Sequence, residues 1–298
     1  MIIFGIFSLI ILAIILIIVL HDKSMDSSNV TGATDVTEIN SNKCGILTNF
    51  MRPEYIQSET TLVPEKWPWK ALFKSGGEFF FEGSLIASEW ILTSRYCIEK
   101  HYKDNKNAKI KVVLGYHNSD QLPYSHTTRY VTDIIIHPEY DLVEKQNNIA
   151  LVRVSRVNLS AGSLSTICLP DQDSRSLPDG TICRIASSNL HKDDSATTVF
   201  KKISMEIISN SECQQLYGGR LTIRDSMICA TNIKNGSSVY QGFSGGSLVC
   251  YDEKMSRFIQ IGVNNGRPKQ TGTKYPLVLS KTSKVRSWID ETIAEYKD

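Results

Sequence analysis

Ser244 stands in the run Gln241-Gly242-Phe243-Ser244-Gly245-Gly246-Ser247-Leu248, followed by Val249 and Cys250. A serine set among glycines suits a tight turn that exposes a hydroxyl and lets backbone N–H groups approach a ligand closely. Those are two parts of an acyl-transfer site: a nucleophile, and donors for the oxyanion formed when it attacks a carbonyl. Glycine- and serine-rich turns also occur in plain loops. The chemistry therefore depends on whether a base and an orienting carboxylate stand elsewhere in the chain.

Short β-like runs punctuated by turns must position such a site. They include Phe79–Phe81, Trp90–Thr93, Ile110–Leu114, Ile134–Ile136, Ala150–Val154, Phe258–Val263 and Tyr275–Leu279. Many short strands separated by turn signals predict an all-β sandwich or barrel architecture. The last segment differs: Val285, Trp288, Ile289 and Ile293 recur at helical spacing and predict a closing amphipathic helix. No internal repeat is present.

The 298 residues suffice for one large domain or two packed halves, and a net charge of +2 with mixed signs gives no reason to expect nucleic acid. Seven cysteines lack paired CxxC spacing, which argues against zinc, and their scatter suits long-range disulfides in an oxidising compartment. No cofactor is implied. Residues 1–20 are uncharged and apolar, and predict either a cleaved signal peptide or an uncleaved signal anchor. The chain is expected to be secreted or held on the extracellular face, touching membrane only through residues 1–20 if these remain. Residues 21–43 are polar and read as a disordered spacer before a domain spanning 44–298. Asn29, Asn158 and Asn235 open glycosylation sequons.

Taken in order, the motifs resemble the chymotrypsin/trypsin family of serine proteases. Gly83-Ser84-Leu85-Ile86, Trp90-Ile91-Leu92-Thr93, Ile136-His137-Pro138, Asn147–Leu151, Ile167-Cys168-Leu169-Pro170, Met227-Ile228-Cys229-Ala230 and Trp288-Ile289 follow in family order, with the Ser244 loop among them. The resemblance covers the chain from about Cys44 to the end. It implies two six-stranded antiparallel β-barrels with a C-terminal α-helix and a site in the cleft between the barrels.

The resemblance also implies roles, and here the chain departs from the pattern. The base position, a histidine before a cysteine, is Tyr96 in Leu92-Thr93-Ser94-Arg95-Tyr96-Cys97. A phenol is a poor proton acceptor at neutral pH. The orienting aspartate is Asn148 in Asn147-Asn148-Ile149-Ala150-Leu151, which carries no charge to stabilise an imidazolium. Of the histidines, His137 belongs to the Ile-His-Pro turn, and His21, His101, His117, His126 and His191 read as exposed loop or tail residues. Phe243 replaces the aspartate that receives the new terminus after activation and so aligns the oxyanion loop of Gly242, Phe243 and Ser244. The bond Arg52-Pro53 is an unpromising activation site. The specificity pocket maps to Ser238, Asn264, Gly266 and Leu277, with Leu277 filling it. The implied disulfides are Cys44–Cys168, Cys183–Cys250 and Cys213–Cys229. Cys97 is left as a buried free thiol, or alternatively as one end of an intermolecular bridge.

Together these departures predict a catalytically inactive extracellular serine protease homologue, not an enzyme, that acts by binding proteins. It would serve as cofactor, decoy or scaffold for active proteases or their substrates, for example in an immune or reproductive-fluid cascade. The alternative is a weak serine hydrolase using Ser244 with an unconventional base.

Overall fold

A computed structural model describes residues 43–46, 67–75, 78–102, 110–115, 126–144, 146–161, 164–172, 174, 176–189, 199–233, 244–265 and 275–296. Met1–Ala33 and Thr34–Asp298 separate as two units, and the first lies outside the described residues.

Twelve strands close into two antiparallel barrels. The first contains β1 (Lys70–Ser75), β2 (Glu78–Ala87), β3 (Trp90–Thr93), β4 (Lys111–Leu114), β5 (Thr127–Ile136) and β6 (Ala150–Val154), in the order β1-β2-β3-β6-β5-β4. The second contains β7 (Ile182–Asn189), β8 (Val199–Ile208), β9 (Met227–Asn232), β10 (Ser247–Asp252), β11 (Arg257–Asn264) and β12 (Leu277–Lys281), in the order β10-β11-β12-β9-β8-β7. Closure leaves no unpaired sheet edge, which lets strands as short as β3 and β4 persist. The expected limits of β3 and β6 match the structure. The run expected at Tyr275–Leu279 instead forms Leu277–Lys281, because pairing of β12 with β9 starts at Leu277↔Ala230.

The apolar runs are buried in register. Ile91 and Leu92 of β3 lie opposite Val152 and Leu151 of β6, and all four are inaccessible to solvent. Each such side chain contributes about 1.5–3 kcal/mol by leaving water. The same core takes in Ile289 and Ile293 of the closing helix α3 (Arg286–Glu295), while Val285, expected on the same helical face, enters it from the 3-10 turn Thr282–Val285 just before. Trp288 packs on His137 with ring centroids 4.6 Å apart.

Two helices have no counterpart in the sequence-based reading. α1 (Arg95–Tyr102) follows β3 directly and carries Tyr96 and Cys97. α2 (Asn210–Tyr217) is capped by the Ser209 hydroxyl, which accepts from the Glu212 N–H, and ends at Gly218 in the left-handed conformation. Cys44–Cys168, Cys183–Cys250 and Cys213–Cys229 are disulfides, and Cys97 is a buried free thiol.

Candidate active site

Ser244 lies in a turn that leads into β10, and backbone bonds from both barrels grip it. The Glu82 N–H on β2 donates to the Ser244 carbonyl at 3.0 Å. From β11, the Asn264 carbonyl accepts the Gly245 N–H at 2.8 Å, and the Asn264 N–H donates to the Gly246 carbonyl at 2.9 Å. Gly245 adopts φ +83, and a Cβ there would run into the Glu82 carbonyl oxygen and the Thr93 hydroxyl. Only glycine fits this approach, so the turn is held rigidly with Ser244 partly exposed.

Tyr96 lies in the first turn of α1 and is 40% exposed. Its N–H donates to Asn148 Oδ1 at 2.8 Å, and the Ser94 hydroxyl donates to the same oxygen at 3.2 Å. Asn148 Nδ2 donates to the Asn265 carbonyl at 3.1 Å, with the residue only 2% exposed. One end of this amide therefore accepts and the other donates, an arrangement that a carboxylate cannot reproduce.

Cys97 sits within hydrogen-bonding reach of the Ser94 and Ser244 hydroxyls. Burial pushes its thiol up to about 12, more than those hydroxyls and the Lys100 cation can offset. A thiol held that high is inert near neutral pH, since the thiolate is the reactive form. Iodoacetamide at pH 8 is accordingly expected to leave Cys97 unmodified in the native protein and to modify it in denaturant. Stoichiometric native labelling, read by peptide mass mapping, would defeat this.

Sequence reading missed an ion pair on the strand residue whose N–H holds the Ser244 carbonyl. Lys70 Nζ lies 3.0 Å from Glu82 Oε1, with the two side chains 8% and 2% exposed, and donates to the Ala186 carbonyl on β7 at 2.7 Å. Lys70 opposes Ser84 and Leu72 opposes Glu82, so lysine and glutamate form a diagonal pair on one face of the β1–β2 ladder. The available signal was a lone charge in each of two apolar runs, Trp69-Lys70-Ala71-Leu72-Phe73 and Phe79-Phe80-Phe81-Glu82. Burial lowers the Lys70 ammonium from its ordinary range, opposed by the Glu82 charge and hydrogen bond.

The remaining expected site residues are dispersed. Leu277 packs in the core of the second barrel beside residues such as Leu248 and Leu279. Asn264 is buried and acts on the turn through its backbone. Gly242, Phe243, Ser238, Gly266, Asn29 and Asn235 lie outside the described residues. Asn158 is exposed, its Oδ1 accepting from the Ser160 N–H. His137 is buried, which lowers its pKa, and its Nδ1 accepts from the Glu139 N–H. His101 belongs to α1 and stacks on Phe81 at 5.7 Å, so it is not the exposed loop residue expected. Among the described residues no cluster could hold a metal ion.

Comparison with known proteins adds to this geometry. A family model described as Trypsin matches residues 56–289. The chain is 28% identical over 276 residues to Transmembrane protease serine 11G of Rattus norvegicus, covering 90% of this chain and 63% of that protein. It is 30% identical over 230 residues to the Mus musculus protein of the same name, covering 75% of this chain and 52% of that protein. It is also 30% identical over 224 residues to Trypsin II-P29 of Gallus gallus, covering 74% of this chain and 83% of that protein. The chain thus spans about half to two thirds of the two transmembrane proteases.

These matches correct the expectation that the chain is not an enzyme. The match runs through both barrels, and all three relatives carry protease or trypsin names. The expectation rested on the residues Tyr96, Asn148, Phe243 and Leu277 and on the Arg52-Pro53 bond. Physically, that inference was too strong: oxyanion stabilisation and binding leave roughly 10³–10⁴-fold catalysis over water when a triad member is removed.

Proposed function

Because the chain belongs to the trypsin family, we propose that it is a slow serine hydrolase whose nucleophile is Ser244 and whose cleft chiefly serves to hold protein partners. The observation that carries this reading is the Ser244 turn itself, gripped from both barrels and shaped around Gly245 at φ +83. A turn built this way keeps the hydroxyl presented without help from the groups at 96 and 148. Tyr96 and Asn148 then set the pace, since neither takes the serine proton as readily as an imidazole backed by a carboxylate.

The partners are extracellular proteins, among them active serine proteases or their substrates. Three disulfides favour an oxidising compartment. Residues 1–20 would deliver the domain there as a signal or anchor, and residues 21–43 would space it from its point of attachment. Two relatives are named transmembrane proteases, which favours the anchored form. No helix among the described residues is long and apolar enough to cross a membrane. Exposed Asn158 is the described sequon open to glycosylation.

A fluorophosphonate probe tests the chemistry on the full chain. Slow, time-dependent labelling that disappears in Ser244→Ala is expected. Labelling no faster than that of Ser244→Ala would overturn the reading.

A further inference from the structure

Glu82 grips the serine turn through its backbone while its side chain is held elsewhere. Its N–H donates to the Ser244 carbonyl, and its own carbonyl accepts the Thr93 hydroxyl at 2.7 Å. That carbonyl is also the wall against which Gly245 packs. Its carboxylate meets Lys70, which reaches across to the Ala186 carbonyl of the second barrel. The chain of contacts therefore runs from the Ser244 carbonyl through Glu82 and Lys70 to the second barrel.

A buried ion pair is weak support for stability, because the desolvation of both charges often equals or exceeds their attraction. Apolar residues of similar volume often serve as well or better. Stability therefore does not account for placing two charges in this core, but position does. We propose that the Lys70–Glu82 pair is a positioning device that sets the Ser244 turn against both barrels, with Ala186 as its anchor on the second. It rests on the reading of Ser244 as a nucleophile. Lys70 and Glu82 would be positioning residues, acting on the serine through the Glu82 backbone.

The test replaces the pair as a unit, Lys70→Met with Glu82→Leu, in the full chain. A melting temperature near or above that of the parent is expected. Fluorophosphonate labelling of Ser244 is expected to slow by about 100-fold, the penalty of a misplacement near 1 Å. Exchange of the Gly245 amide hydrogen should accelerate, because its bond to Asn264 depends on the turn staying in place. Lys70→Arg, which keeps a cation, is expected to label far faster than the double variant. Parental labelling and parental Gly245 protection in the double variant would overturn the proposal. So would a large fall in melting temperature, which would make the pair a stability element. If the parent itself does not label, the nucleophile reading fails, and the exchange measurement still decides whether the pair positions the turn.

Discussion

Gly245→Ala is expected to cost more than about 4 kcal/mol, a loss reserved for changes that break a built-in backbone constraint. The residue adopts φ +83, where a side chain is strained before any neighbour is considered. Its new Cβ would also overlap the Glu82 carbonyl and the Thr93 hydroxyl, and neither can yield. The Glu82 carbonyl belongs to a strand paired on both sides, and the Thr93 hydroxyl is bonded to that same carbonyl. Relief would require the Ser244 turn to withdraw from β2, breaking the Glu82–Ser244 bond. Gly218→Ala provides the comparison, with φ +54 and open space around the added carbon. It is expected to cost only about 1–2 kcal/mol, the backbone term by itself. Chemical denaturation of both variants decides the matter. Equal losses would mean that the approach to Glu82 is looser than the structure has it.

Asn148→Asp with Tyr96→His is expected to accelerate hydrolysis of a small activated ester by about 1,000-fold or more, since each group is worth at least that much in a complete triad. An ester with no bulky side chain avoids any demand on a pocket near Leu277. Asn148→Asp alone should be destabilising, because an ionised oxygen would face the Asn265 carbonyl where Asn148 Nδ2 now donates at 3.1 Å. The cost is about 1–3 kcal/mol at neutral pH. The sign with pH follows from the geometry. Burial disfavours the charge and a protonated carboxyl can still donate to Asn265, opposed by the Tyr96 N–H and Ser94 hydroxyl on the other oxygen. The first two are expected to prevail, so the folded pKa rises above the unfolded ~3.9. The penalty is therefore small below that value, grows as pH rises to the raised folded pKa, and stays constant above it. Melting the single variant across pH 3–8 checks this. A penalty that shrinks with rising pH, or a rate gain below about tenfold in the double variant, would show that the site around Asn148 differs from this account.

The primary structure by itself determined the secondary structure of the strongest segments and the place of the glycine-flanked Ser244 turn. The short runs Trp90–Thr93 and Ala150–Val154, apolar but for Thr93 and Arg153, are strands because they are buried on both faces apart from Arg153. Ile289 and Ile293 bury one helical face because their spacing leaves no other way to shed apolar surface. Gly245 marks a close backbone approach through residue type alone. The tertiary structure decided the rest. Lys70 meets the Ala186 carbonyl across 116 positions of chain, and Asn148 meets the Asn265 carbonyl across 117. The helices α1 and α2 were equally hidden, since eight residues are too few for helical periodicity to outweigh tertiary context. Activity was misjudged for a related reason: the residues Tyr96, Asn148, Phe243 and Leu277 were weighed without the framework that holds Ser244. Strand register and barrel closure choose which distant groups become neighbours, and a hydrogen bond or ion pair forms only after that choice is made.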